Sequence, residues 1–365
     1  MNKVFLIAEA GVNHNGSLKM AKRLVDVAVS AGADAVKFQT FKAEKLVSRT
    51  APKAEYQLRT TSTSQSQFQM IKELELDESA HRVLVEYCRK KRIEFLSTPF
   101  DLDSLDFLVD QLNVTRLKLS SGEMTNGPLL LKAAQAKKPI LLSTGASTLG
   151  EVEKALQVLA FGFTQTRKRP CCDAFKSAYH HRRGQQILRE KVTLLHCTTE
   201  YPVPFNDVNL RAMDTLRAAF GLSVGLSDHT LGMAIPIAAV ARGAMVIEKH
   251  FTINRGLAGP DHRVSLEPDE LIEMVRAIRQ VEQALGDPIK IPVPSELKNQ
   301  NIIRRSLVAT RVIQKGKLLN EKNVAAKRPG TGVSPMDYWK LAGKKARKEY
   351  QVDEFILSSE INGLY

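Results

Sequence analysis

Eight short apolar runs, each ending in polar residues, constrain this chain more than any other feature of its sequence. In order they cover residues 5–11, 34–40, 94–100, 116–123, 139–145, 192–198, 223–230 and 245–251. Helix-like segments separate them, and strands that alternate with helices form parallel sheets. Eight such units predict an α/β fold, a closed (β/α)8 TIM barrel, whose active site sits at the C-terminal ends of the strands. Polar residues gather at those ends: Glu9, Lys37, Gln39, Thr98, Lys118, Ser121, Glu123, Ser143, His196, Ser227, His229, Glu248 and His250. A barrel that served only as a scaffold would not need so many.

The chain has 365 residues, which exceeds a minimal barrel of about 250, so a second domain is expected. The barrel is expected over 1–286, a proline-rich extended linker over 287–295 and a small β-rich domain over 296–365. Helices are expected at 18–31, at 152–159 behind a Thr148/Glu151 capping box, and at 269–285. The Ser-, Thr- and Gln-rich stretch 42–70 reads as a long loop over the active-site face. The basic stretch 162–190, with Cys171-Cys172 and His180-His181, reads as a solvated surface insertion and not as a metal site.

No apolar stretch reaches the roughly 20 residues that span a bilayer. The first residues enter a strand without a signal-peptide pattern. The four cysteines show neither metal spacing nor a disulfide framework. A cytoplasmic protein without a membrane partner is therefore expected. The net charge is +14, of which residues 164–191 carry +6 and residues 296–365 carry +7. Such an excess can attract nucleic acid or a small anionic substrate. No nucleic-acid motif is present and aromatics are sparse, so the anionic substrate is the preferred reading.

Asp228-His229-Thr230 and Glu248-Lys249-His250 end the seventh and eighth strands, which are neighbours in a barrel. Two imidazoles at adjacent strand ends can bind one divalent cation and leave positions open for substrate. Strand alternation places Glu248 and His250 on one face and Lys249 on the other, so Glu248 is a further ligand or orients an imidazole. By the same alternation Lys37 and Gln39 face inward together. A lysine inside a barrel is costly unless it meets an anion. Lys37 and Lys118 either pair with Glu9 and Glu123 or hold a phosphate or carboxylate. The hydroxyls of Ser121, Ser143, Thr144 and Ser227 favour the second reading. The set suits joining an anionic, phosphorylated donor to a carbonyl acceptor, with a carboxylate moving a proton.

The motifs that carry this chemistry are distinctive: residues 8–16 (AEAGVNHNG), 37–40 (KFQT), 97–100 (STPF), 121–123 (SGE), 142–145 (LSTG), 201–202 (YP), 225–230 (GLSDHT), 248–251 (EKHF), 259–262 (GPDH) and 327–330 (KRPG). In these the chain resembles the bacterial sialic acid (nonulosonic acid) synthases over nearly its whole length, and its tail resembles their antifreeze-like SAF domain. The resemblance implies condensation of phosphoenolpyruvate with an N-acetylated mannose-type sugar and water, releasing phosphate. It implies a divalent metal, Mn2+ with Mg2+ or Co2+ as alternatives, on His229 and His250. It assigns Lys37, Thr98, Lys118, Ser121, Ser143 and Ser227 to phosphoenolpyruvate. Glu9, Gln39, Tyr201 and Asp261 would face the acceptor sugar, Thr199 and Glu248 would also bind substrate, and Glu123 would handle the proton of the attacking water. Arg328 would reach the sugar from the partner's tail in a domain-swapped homodimer.

Phe38 and Thr199 look more like the legionaminic acid branch than the neuraminate-forming branch, which often has His and Asn there. The acceptor would then be 2,4-diacetamido-2,4,6-trideoxymannose and not N-acetylmannosamine. Phe38 is expected to face the helices, so it marks a branch without shaping the pocket. The alternatives are another phosphoenolpyruvate-dependent sugar-acid synthase or aldolase, such as a pseudaminic acid synthase, or a non-catalytic sugar-binding protein.

Overall fold

A computed structural model describes residues 3–61, 65–165 and 168–361 of the chain. Two compact units divide it, Met1–Gly286 and Asp287–Tyr365. The first holds eight parallel strands: β1 (Phe5–Gly11), β2 (Ala35–Thr40), β3 (Glu94–Pro99), β4 (Leu117–Leu119), β5 (Ile140–Ser143), β6 (Val192–Cys197), β7 (Ser223–Asp228) and β8 (Val246–His250). They run in the order β3-β2-β1-β8-β7-β6-β5-β4. The two end strands lie side by side, so the sheet curls into a nearly closed barrel. Each expected strand is present, though β4 is only three residues long because Ser121–Glu123 turns into a 3-10 coil.

Strand parity sorts the side chains. Ile7, Ala35, Leu96, Leu141, Leu195 and Val246 pack together as an apolar plug inside the barrel. One pleat further along the same strands come Glu9, Lys37, Thr98, Ser143, Cys197 and Glu248. The interior is thus dry at the N-terminal ends of the strands and polar at their C-terminal ends. Residues of the opposite parity, among them Leu6, Val36 and Phe38, join the main core against the helices. Phe38 is fully buried there and stacks on Phe95, as expected. Gly225 must be glycine: a Cβ would collide with the Val246 carbonyl and the Leu195 side chain.

Helix α1 (Leu18–Ala31) starts at Ser17, whose hydroxyl accepts from Met20 N–H, and stops at Gly32 in the left-handed region (φ 75°). Its buried residues Ala21, Leu24, Val25, Ala28 and Ala31 form one face at helical spacing. The Thr148/Glu151 capping box forms as expected and opens the helix Leu149–Thr164. The helix Pro268–Ala284 closes the barrel unit.

Three expectations need correction. The stretch 42–70 is not a long loop: its described residues form α2 (Ala43–Leu46), α3 (Glu55–Thr60) and α4 (Gln67–Glu73), followed by α5 (Glu78–Lys91). Residues 62–64 lie outside the described residues, as do 166–167 in the basic stretch. The basic stretch contains two helices, Cys172–His180 and Arg182–Lys191, which bury Ala178 and Leu188 against the barrel. Gly184 lets them meet closely, since a Cβ there would strike the Ala178 carbonyl. The four cysteines are free, with Cys171 and Cys172 exposed. Finally, the expected extended linker ends early: Pro294 opens a helix, Pro294–Ile303, and Glu296 accepts from Val293 N–H (3.0 Å) at its start.

The second unit pairs β9 (Ser306–Ala309) with β10 (Val324–Lys327) in antiparallel register. Its separate core includes Leu307, Ile313, Leu319, Val324, Leu341, Tyr350 and Ile356. Buried Glu360 accepts from the Tyr350 hydroxyl (2.7 Å) and from Arg347 N–H (2.8 Å). Among the described residues no helix is long and apolar enough to cross a membrane.

Candidate active site

A cavity of about 260 Å³ opens at the C-terminal ends of the barrel strands. Its lining includes Glu9, Lys37, Gln39, Thr98, Lys118, Ser121, Ser143, Thr199, Tyr201, Ser227, His229, Glu248, His250 and Asp261. These residues come from every strand of the barrel or from the turn just after it, because inward parity at the strand ends points them to one place. Lys37 Nζ lies 2.8 Å from Glu9 Oε2 and donates to Thr98 Oγ1 (2.9 Å). Lys118 Nζ lies 3.4 Å from Glu248 Oε1, and Lys37 Nζ lies 3.7 Å from Glu248 Oε2. Ser227 Oγ donates to Glu248 Oε1 (2.8 Å).

The two carboxylates share two ammonium groups unequally. Burial works to raise Glu248, but Lys118 and Lys37 outweigh it and hold the carboxyl down at about 2. Burial raises Glu9 to about 7 despite its ion pair with Lys37. Near neutrality Glu9 is therefore partly protonated; burial works to lower both lysines, and Glu248 and Glu9 outweigh it at Lys37 but not at Lys118. The Ser143 hydroxyl is buried beside these groups without a hydrogen-bond partner among the described residues. Two buried lysines and an unused donor are what a bound anion would satisfy. Ser121 Oγ accepts from Gly145 N–H (2.9 Å), and a Cβ at Gly145 would collide with both Ser121 Oγ and Thr199 Oγ1.

Across the cavity Tyr201 stacks on His229 with ring centroids 4.1 Å apart, and the His229 and His250 rings lie 5.4 Å apart. His229 Nδ1 donates to the Thr198 carbonyl (2.8 Å), which leaves the lone pair on Nε2. His250 Nδ1 is buried without a hydrogen bond, 4.0 Å from Asp261 Oδ2. Burial and the nearby His229 keep His250 well below its usual range, so it stays neutral. Burial lifts Asp261 to about 6. Behind the strands Lys249 is fully buried and pairs with Asp228 (2.5 Å), so the residues flanking both histidines lock β7 to β8.

Residues 24–290 match the NeuB family, and residues 304–361 match the SAF domain. The chain belongs to the NeuB family. It is 51% identical to the N,N'-diacetyllegionaminic acid synthase of Campylobacter jejuni, over 98% of this chain and 99% of that protein. It is 45% identical to the N,N'-diacetyllegionaminic acid synthase of Legionella pneumophila, over 93% of this chain and 90% of that protein. Among solved structures it is similar to the N-acetylneuraminic acid (sialic acid) synthetase of Leptospira borgpetersenii. That likeness has 33% identity and a TM-score of 0.65, and covers 82% of this chain and 90% of the other.

In this NeuB chain the donors present fit a divalent cation. Two imidazoles face one cavity: His250 is held neutral, and its Nδ1 has no hydrogen-bond partner among the described residues, while His229 keeps its Nε2 free of the Thr198 carbonyl bond. Among the described residues no group of three or more His, Cys, Asp or Glu converges as a metal cage. Two protein ligands would leave most coordination positions open.

Of the residues expected at the strand ends, Glu123, His196 and Thr144 do not line the cavity. Glu123 lies in the 3-10 coil after β4 and does not line it; Asn126 Nδ2 donates to its Oε2 (2.6 Å), and burial raises its carboxyl. His196 has outward parity between Leu195 and Cys197, and its Nε2 meets the Val208 carbonyl (2.6 Å). Arg328 is exposed in the second unit, where its Nε donates to the Ile303 carbonyl (3.1 Å). The reading of residue types missed an apolar wall, made by residues directly after β1, β2 and β3 and by α4. Phe41 and Phe100 could have been found, since each follows a strand end immediately. The α4 residues carried no comparable signal.

Proposed function

We propose that this chain is a nonulosonic acid synthase. It would join phosphoenolpyruvate to the open-chain aldehyde of 2,4-diacetamido-2,4,6-trideoxymannose and, with water, give N,N'-diacetyllegionaminate and phosphate. The observation that carries the reading is a pair of buried lysines, Lys37 and Lys118, that line one cavity with two imidazoles, His229 and His250. The relatives named above, similar over nearly the whole chain, support the legionaminate product.

In this reading Lys37, Lys118, Ser143 and Ser227 bind the donor's carboxylate and phosphate. Carbon 3 of the donor bonds to the aldehyde carbon, and the aldehyde oxygen takes a proton. Water adds at carbon 2, and the bond between carbon 2 and the phosphate oxygen breaks. Lys37 and Lys118 stabilise the charge on the departing phosphate. Glu9 and Asp261, raised by burial to about 7 and about 6, exchange protons near neutrality. This proton role moves from Glu123 to residues that line the cavity. His229 and His250 would hold Mn2+, and a bound divalent cation supplies Lewis-acid polarisation of the acceptor carbonyl. The chain would act as a homodimer in which Arg328 of a second copy completes the sugar site.

The test is phosphate release from phosphoenolpyruvate. Release should require a mannose-type sugar, be most efficient with the diacetamido-trideoxy sugar, stop when EDTA removes metal, and return with Mn2+. Full activity of the metal-free protein contradicts the metal reading, and no release with any mannose-type sugar contradicts the synthase reading.

A further inference from the structure

The cavity is chemically two-sided. One side holds the lysines, hydroxyls and imidazoles. The other is formed by Val12, Phe41, Met70, Ile71, Leu74 and Phe100. With Leu46 they make a seven-residue apolar cluster separate from the main core, and all seven line the cavity. Phe41 and Phe100 meet edge to face at 6.2 Å. The wall is built and not incidental. The capping box Ser66/Gln69 fixes the start of α4, and Glu75 just beyond it accepts from Ala43 N–H to tie the segment back to β2. Gln57 of α3 borders the same cavity, its Oε1 accepting from Ala54 N–H (3.0 Å).

The order of the polar groups limits what can lie against this wall. The donor's anionic groups belong with Lys37 and Lys118, and the reacting aldehyde belongs by the imidazoles. The part of the acceptor remote from its aldehyde is left for the apolar side. A sugar hydroxyl buried against these apolar side chains would lose water and find no partner among them. A methyl group would lose nothing. We infer that this wall selects the acceptor, taking the 6-methyl group and the methyl of the 4-acetamido group of a diacetamido-trideoxy sugar and disfavouring N-acetylmannosamine, which carries hydroxyls at both positions. The inference rests on the synthase reading above and adds the residues that set its specificity.

The test compares kcat/KM for the two sugars in the full-length protein with its metal. The wild type should favour the diacetamido-trideoxy sugar by about tenfold to a hundredfold, the range an apolar pocket commonly gives. Met70→Gln should lower kcat/KM for that sugar by about tenfold. It should leave N-acetylmannosamine unchanged or improved and should not alter KM for phosphoenolpyruvate. Met70→Leu should keep the wild-type ratio. Should Met70→Gln fail to fold, Val12→Thr places a hydroxyl on the same wall at constant shape and should shift the ratio the same way. A folded Met70→Gln or Val12→Thr that changes both sugars by the same factor, or neither, overturns the inference. No phosphate release by the wild type with either sugar overturns the synthase reading and this one with it.

Discussion

A buried lysine costs several kcal/mol unless its charge is answered. Lys37 and Lys118 are 3% exposed each, and of the two nearest carboxylates only Glu248 is held firmly ionised. That imbalance, more than any single hydrogen bond, is why an anionic donor is expected at this end of the cavity. Replacing either lysine with Met should raise KM for phosphoenolpyruvate or lower kcat by at least about tenfold, since a hydrogen bond to a charged group contributes roughly 1.5–3 kcal/mol. Steady-state kinetics with the sugar held saturating would check it, and unchanged constants in both variants would make the lysines structural. At this scale parity made most of the site legible: residue types at alternate positions near strand ends announced where they would point. His196 and Glu123 mark the limit. The run 192–198 has apolar residues at both parities, Leu194 and Leu195, so its inward face could not be read from hydrophobicity. Glu123 turns away because the chain leaves β4 after Leu119 and coils.

Among the elements, the turn after β1 carries a buried histidine that the sequence marks only as part of a motif. His14 is 1% exposed, its Nδ1 accepts from Gly16 N–H (3.0 Å), and burial pushes its pKa down to about 3. The folded state keeps it neutral, while the unfolded chain protonates it below about pH 6.5. Its contribution is therefore constant above that pH and turns against the fold as pH falls. In urea unfolding, the stability of His14→Asn relative to the wild type should shift by about 2 kcal/mol in the variant's favour between pH 7 and pH 5. A relative stability that does not change with pH would mean that His14 titrates normally in the fold. The long elements were legible in the sequence because an amphipathic face or a capping box declares itself, as in α1 and at Thr148/Glu151. Helices α2, α3 and α4 were not. Each is shorter than an isolated helix can sustain, and tertiary contacts hold them in place of local propensity. The helices of the basic stretch hid for a related reason: each buries only one or two residues, a stripe too thin to stand out among charges.

For the whole molecule, the two units and their approximate boundary follow from the proline-rich stretch and the change of texture beyond it. The start of the helix at Pro294 inside that stretch did not, because proline marks a helix start as readily as a linker. The proposed second copy makes a prediction of its own. His229→Ala and Arg328→Ala should each be inactive or weak, and Arg328→Ala should weaken the sugar more than phosphoenolpyruvate. After subunit exchange, a mixed dimer with swapped tails holds one site with both defects and one intact site. Mixing should then restore activity, whereas inactive heterodimers would place Arg328 at its own barrel.

In the proposed reaction water attacks carbon 2 of the donor while the sugar is joined at carbon 3. Turnover with the diacetamido-trideoxy sugar in heavy-oxygen water, read by mass spectrometry, tests it most directly. The nine-carbon keto acid should carry the label, and the released phosphate should carry none. Labelled phosphate would mean that the phosphorus–oxygen bond breaks, and would contradict the account.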